Sequence, residues 1–169
     1  RVGRGAEEPL LAPCRTAGSI HGQGGLGGYQ LPEAGRDFDP DYAWDVLYQE
    51  AVRAGGELEL VTLGPLTNVA IALKRHPDLA GLIKKITMMA GTDGQGNTNV
   101  YAEFNVWVDP HACDIVFRSG IPIAMCGLDG NDSCRLDTGE MAQVFDRPGR
   151  LSEVISHVAH FIHQRISEQ

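Results

Sequence analysis

What most constrains this chain is an alternation that repeats along it: a short β-branched run, a glycine or polar break, then an amphipathic helical stretch. Asp39-Pro40 reads as a helix N-cap and first helical position, followed by Ala43, Val46, Leu47 and Ala51 at helical spacing and closed by Gly55-Gly56. The run 58–63 (LELVTL) is a strand, and Gly64-Pro65 turns it into a helix with Leu66, Val69, Ala70 and Leu73 on one face. Residues 86–89 form the next strand, ending at Ala90-Gly91, then a Gly/Asn-rich loop over 92–99 and an extended piece over 102–108. Asp109-Pro110 starts another helix, whose buried face is Ala112, Cys113, Val116 and Phe117, and Gly120 stops it. A third strand over 121–126 ends at Gly127-Leu128-Asp129, and a polar turn leads to helices over 138–146 and 151–166. Strands alternating with helices imply β-α-β crossovers, hence an α/β fold with a mainly parallel sheet flanked by helices. Such sheets take ligands beyond the carboxyl ends of their strands. That rule points at residues 64–68, 89–105 and 126–129, where polar and glycine residues concentrate.

At 169 residues the chain suits one domain with a real core. A formal net charge of −8 argues against a sequence-independent nucleic-acid partner, which needs a cationic face. No run approaches the roughly 18 apolar residues of a membrane span, and no basic-then-apolar leader opens the chain, so a cytoplasmic protein is expected. Cys14, Cys113, Cys126 and Cys134 form no C-x-x-C pair; Cys113 and Cys126 lie in apolar stretches and read as buried hydrophobes. The triplet Asn131-Asp132-Ser133 reads as a chance match to a glycosylation site. The opening Arg1-Val2-Gly3-Arg4-Gly5 carries neither a helical period nor a complete strand, and the chain reads as cut from something longer.

Several residues could carry chemistry. In an extended segment Glu103 and Asn105 would share a face, with Phe104 on the other. A carboxylate beside an amide suits adjacent hydroxyls such as a sugar diol, and Asn97 could close the same site; a solvated loop with surface Asn and Glu fits the spacing as well. Thr67 follows Gly64-Pro65-Leu66, where a carbonyl freed by the turn could meet a hard cation, or where Thr67 simply caps the helix. His21 to Gly27 contains a literal G-x-G-x-x-G, but no apolar strand precedes it and no helix follows, so a loop placing His21 is the better reading. That histidine could protonate a leaving group or lie idle at the surface. His157, His160 and His163 fall on the polar face of a helix whose other side is Leu151, Val154, Ile155, Val158 and Ile162, and are expected in solvent. No G-x-S-x-G, H-E-x-x-H or P-loop is present.

The order of these elements carries a resemblance. Val61-Thr62-Leu63-Gly64-Pro65-Leu66-Thr67-Asn68, Met88-Met89-Ala90-Gly91, Asn97, Ala102-Glu103-Phe104-Asn105, Val108-Asp109-Pro110, Gly120-Ile121-Pro122-Ile123 and Gly127-Leu128-Asp129 resemble the inosine-uridine preferring nucleoside hydrolases, and Ile20-His21-Gly22 looks like that family's histidine loop. The resemblance covers about residues 1–130. It implies a Rossmann-like core, truncated here, that cleaves the N-glycosidic bond of ribonucleosides to base and ribose. Asn97, Glu103 and Asn105 would hold the ribose hydroxyls, Met89 would line the sugar pocket, and His21 would sit near the base or leaving group. Thr67 would offer its main-chain oxygen to a Ca2+ ion whose bound water attacks an oxocarbenium-like centre. A small-molecule ribonucleoside is the implied partner, with homo-oligomers common among relatives.

The chain departs from the family pattern. The Asp-rich motif of D-T-D-x-G-x-D-D type and the late His-Asp pair are absent, Ala90 replaces a usual Gly, His111 a usual Glu, and Gly130-Asn131-Asp132 a usual Val-Thr-His. One carbonyl cannot hold a calcium that takes six to eight oxygens, so this polypeptide alone is expected to be inactive, with a sheet edge or apolar face exposed. A non-catalytic binding or oligomer-forming relative is the competing reading, and a hydrolase of another ribosyl conjugate a third.

Overall fold

The structure, a computed structural model, describes residues 1–145 and 147–167; Asp146, at the end of the expected helix 138–146, lies outside the described residues. In chain order the helices are α1 (Gly18–His21), α2 (Ala43–Ala54), α3 (Thr67–Arg75), α4 (Phe104–Val108), α5 (Pro110–Phe117), α6 (Leu128–Asp132), α7 (Thr138–Phe145) and α8 (Arg150–Ser167), and the strands are β1 (Leu58–Thr62), β2 (Ile83–Met89) and β3 (Ile123–Cys126). The chain divides into two compact units, Arg1–Cys14 with Arg36–Cys134, and Arg15–Gly35 with Arg135–Gln169.

The first unit is the α/β part. Its sheet is wholly parallel in the order β1-β2-β3, with Leu60 opposite Ile86 and Ile86 opposite Ile123. Crossovers of one hand that step in one direction place their helices on one face of a sheet. Accordingly Leu66, Val69, Ala70, Ile86, Met88, Ala112 and Val116 form one core, joined by Trp44, Leu47 and Leu60. Val61 remains 63% exposed and Leu63 78%.

Local chemistry explains where the elements begin and end. Gly55 closes α2 in the left-handed conformation, its amide returning to the Val52 carbonyl. The start of α2 differs from expectation. Asp39 does not cap it; its carboxylate takes the Asp41 amide and pairs with Arg1, and α2 begins at Ala43, whose orphan amide donates to the Arg4 carbonyl at 2.9 Å. The opening residues are thus an extended strap, bridged in parallel fashion at Arg4 and Tyr42. The expected extended piece 102–108 is also corrected: from Phe104 it is a helix, because Glu103 caps it. Asp109-Pro110 does start α5, with the Asp109 carboxylate on the Ala112 amide. Phe117, expected in that helix's buried face, is exposed: Ala112, Cys113 and Val116 already fill it. Cys113 is buried, but Cys126, at the open end of β3, is not.

In the second unit Gly22 and Gly27 answer to packing, whereas Gly24 and Gly25 have open space at the Cβ position and answer to their positive φ of 78° and 76°. A Cβ at Gly27 would meet the Phe161 ring at 2.7 Å, and one at Gly22 at 2.9 Å. The first and last glycines of this G-x-G-x-x-G therefore lie against an aromatic ring, and the middle one serves a left-handed turn. His157, His160 and His163 are exposed on α8, with the His157 ring against the Gly27 carbonyl at 3.0 Å. Leu151 and Ile155, assigned by periodicity to the apolar side, are exposed too.

Candidate functional site

The carboxyl ends of β2 and β3 are stitched together by main-chain bonds: the Ala90 amide donates to the Cys126 carbonyl at 3.2 Å and the Leu128 amide to the Gly91 carbonyl at 3.1 Å. Into this mouth comes the loop 92–103, folded tightly on itself. The Gly96 amide donates to the Val100 carbonyl, the Thr98 amide to the Ala102 carbonyl, and Asn99 Oδ1 accepts from the amides of Tyr101 and Ala102. Gly96 is required by close approach: a Cβ there would lie 2.3 Å from the Ala102 carbonyl oxygen.

That fold delivers three polar side chains. Glu103, 2% exposed, spans two segments: Oε1 accepts from the Asn105 amide at 2.9 Å, while Oε2 accepts from the amides of Gly91 at 3.0 Å and Val106 at 3.2 Å. Its negative charge sits on the first turn of α4 and on the end of β2 together. Asn105 donates from Nδ2 to the Met89 carbonyl at 3.0 Å and to Met89 Sδ at 3.3 Å. Asn97 Oδ1 accepts from the Phe104 amide at 2.9 Å. Met89, Asn97, Glu103 and Asn105 are therefore brought together at the end of β2. Two polar atoms there have no hydrogen-bond partner among the described residues, the donor Asn97 Nδ2 and the acceptor Asn105 Oδ1.

Thr67 stands in the same unit as the first residue of α3, just beyond β1, and is buried. Its hydroxyl donates to Asp109 Oδ2 at 2.7 Å. Asp109 is fully buried, and its carboxylate also accepts from the Ala112 amide at 3.0 Å and the Leu10 amide at 2.9 Å. Asn68, next to Thr67, takes the Ala6 amide on Oδ1 at 2.8 Å. Sequence reasoning assigned Asp109 a cap only; the links to Thr67 and Leu10 span 42 and 99 residues, and no local pattern signals them. The nearby Cys113 thiol is pushed up to about 11 by burial and by the charges of Asp109 and Glu103, so it is no nucleophile at neutral pH. His21 belongs to the second unit, exposed at the end of α1, its carbonyl accepting from the Gly27 amide.

No group of three His, Cys, Asp or Glu side chains suited to a metal ion occurs among the described residues. Asp109 faces the neighbouring Thr67, yet both its oxygens are taken by protein donors. The donor set of these residues does not make a calcium site by itself, since calcium takes six to eight oxygens. Likewise no described helix is long and apolar enough to cross a membrane.

Residues 1–169 match the family described as inosine-uridine preferring nucleoside hydrolase. The chain is 36% identical over 160 residues to the pyrimidine-specific ribonucleoside hydrolase RihA of Shewanella baltica, covering 95% of this chain and 50% of that protein. It is 39% identical over 135 residues to the non-specific ribonucleoside hydrolase RihC of Salmonella newport, covering 80% and 44%. Among solved structures, the purine-preferring ribonucleoside hydrolase from Gardnerella vaginalis superimposes with a TM-score of 0.90 at 30% identity, over 98% of this chain and 54% of its own. The chain thus spans about half the length of the relatives it matches.

Proposed function

The chain belongs to the inosine-uridine preferring nucleoside hydrolase family, and from that premise we propose that the natural gene product carrying it hydrolyses the N-glycosidic bond of ribonucleosides to base and ribose. The observation that carries this reading is the gathering of Asn97, Glu103 and Asn105 at the end of β2, with one donor and one acceptor left unengaged. Asn97 Nδ2 donates to one ribose hydroxyl, and Asn105 Oδ1 accepts from its neighbour. Glu103 has two oxygens, about four lone-pair sites, and three amide donors, so it retains one site for a hydroxyl. Met89 provides an apolar, polarisable wall beside them. Sites that hydrogen-bond a hydroxyl reject the analogue lacking it, because their own polar groups are then unpaired.

The chemistry a bound Ca2+ would supply is activation of water, and Thr67 would contribute its main-chain oxygen. The described residues do not complete that site, and the 169 residues alone are proposed to be inactive. The relatives differ in base preference, being pyrimidine-specific, non-specific or purine-preferring. We place the activity in cytoplasmic nucleoside salvage by a homo-oligomer, with the exposed Val61 and Leu63 available to an interface.

The test is hydrolysis of inosine and uridine by the natural gene product with calcium present, alongside their 2′-deoxy forms. Turnover of the ribonucleosides with strong rejection of the deoxy compounds is expected; equal turnover of both would remove the hydroxyl-reading role from Asn97, Glu103 and Asn105. Turnover by the 169-residue chain alone at the rate of the whole protein would refute its proposed inactivity. A binding module without chemistry is the second reading. It expects ribonucleoside binding and no product from the natural gene product.

A further inference from the structure

We infer that Asp109 is a positioning residue for the ribonucleoside site, acting through the hydroxyl of Thr67 to hold the β1–α3 turn, α4 and the N-terminal strap in one register. The inference rests on the reading of the site proposed above.

Asp109 is fully buried, yet its carboxylate touches nothing that reacts. Each of its oxygens accepts from a backbone amide that cannot turn round: Oδ1 from Ala112 at 3.0 Å, Oδ2 from Leu10 at 2.9 Å. Oδ2 also takes the Thr67 hydroxyl at 2.7 Å. A buried carboxylate needs hydrogen bonds in place of the water it has lost, and here three are made. The donors come from three separate segments: the strap at Leu10, the head of α3 at Thr67 and the first turn of α5 at Ala112. A fourth segment is fixed covalently, because Asp109 directly follows α4, the helix that carries Asn105 and is capped by Glu103.

The strap is held at a second point nearby. Asn68 accepts the Ala6 amide at 2.8 Å, and a Cβ on Gly5 would lie 2.8 Å from the Asn68 amide group. Asn68 and Asp109 together lay residues 6–10 across the heads of α3 and α5. The pair of adjacent residues Thr67-Asn68 thereby links the β1 end of the crevice to the strap and to α4, while Glu103 links α4 to the β2 end through the Gly91 amide. Removing the Asp109 acceptors leaves the sugar residues attached to β2 but no longer indexed to β1. An asparagine cannot substitute, since whichever way its amide is turned an NH2 opposes a backbone N–H.

The test separates hydroxyl from shape. Thr67→Val keeps the volume and removes only the donor, while Thr67→Ser keeps the donor. In the natural gene product, Thr67→Val and Asp109→Asn should each lower kcat at least about tenfold with KM changed less than about threefold, as misplaced groups do. Thr67→Ser, which keeps the donor, should retain clearly more kcat than Thr67→Val, and the double variant should fall no more than about twofold below Asp109→Asn, the non-additivity of groups acting as one unit. Amide exchange gives a readout independent of turnover. The Ala70 amide, in the first turn of α3, should exchange at least about tenfold faster in Thr67→Val and unchanged in Thr67→Ser, with Leu10 and Ala112 accelerated only in Asp109→Asn. Thr67→Val with wild-type kcat and wild-type Ala70 exchange overturns the inference. Should the wild-type protein turn over no ribonucleoside, the proposed function fails, and the exchange pattern alone then upholds or overturns the Thr67–Asp109 tie.

Discussion

Consider Gly96→Ala. The added Cβ would sit 2.3 Å from the Ala102 carbonyl oxygen, 2.4 Å from the Asn99 carbonyl oxygen and 2.5 Å from the Ala102 nitrogen, all main-chain atoms with no flexible end to swing away. Restoring an ordinary contact of 3.4 Å from 2.3 Å requires 3.4 − 2.3, or 1.1 Å, of backbone movement. The two loop bonds at stake, Gly96 to Val100 and Thr98 to Ala102, are both 3.1 Å, and a shift of that size takes them beyond hydrogen-bonding range. Two such bonds contribute on the order of 2 kcal/mol to the loop. Because Asn97 is the next residue, the same shift pulls its Oδ1 from the Phe104 amide. A displacement of about 1 Å at a positioning group costs on the order of 100-fold in rate. The expected result is therefore a large loss of kcat/KM on a ribonucleoside in the natural gene product, with a melting temperature only a few degrees lower because the loop is at the surface. Gly94→Ala is the control: nothing lies within 4 Å of its Cβ position, so it should behave as wild type. Equal activity in Gly96→Ala and Gly94→Ala would refute the argument that this close approach positions Asn97.

Other perturbations test separate links. Glu103→Gln replaces an acceptor of three amides by a group whose NH2 must oppose one of them, and should cost about 1–3 kcal/mol in denaturant unfolding; an unchanged midpoint would show that the cap of α4 does not matter. Alkylation at pH 8 should label the exposed Cys14, Cys126 and Cys134 and spare Cys113, whose thiol at about 11 is almost wholly protonated; mass spectrometry of the peptides decides it. Arg1 holds the Asp39 carboxyl down to about 2 from its ordinary 3.8, so the folded state binds that proton less readily than the unfolded chain. The pair's contribution is complete above pH 3.8 and is lost as pH falls toward 2; Asp39→Asn should flatten that part of the acid-unfolding curve, and an identical curve would exclude the pair.

What the amino-acid order determined was whatever depends on neighbours a few positions apart. The alternation of β-branched runs with amphipathic stretches specified a parallel sheet, because side-chain period and glycine breaks are local properties. Asp109-Pro110 announced the start of α5 for the same reason, and the ordered motifs from Gly64 to Asp129 pointed to the family. The tertiary structure decided what depends on residues far apart. Asp39-Pro40 has the chemistry of a helix start, yet Arg1 takes Asp39 and the Arg4 carbonyl takes the first amide of α2. Residues 104–108 looked extended, but a carboxylate bound to three amides, one of them at the end of β2, stabilised a helical turn. Cys126 sits in an apolar run and is exposed because its strand ends at the open mouth of the sheet. The two roles of Asp109 mark the division most clearly. Its bond to Ala112 lies three residues away and follows from the chain's local geometry, whereas its bonds to Thr67 and Leu10 exist only after the sheet has brought separate segments to a single buried point that no water can reach.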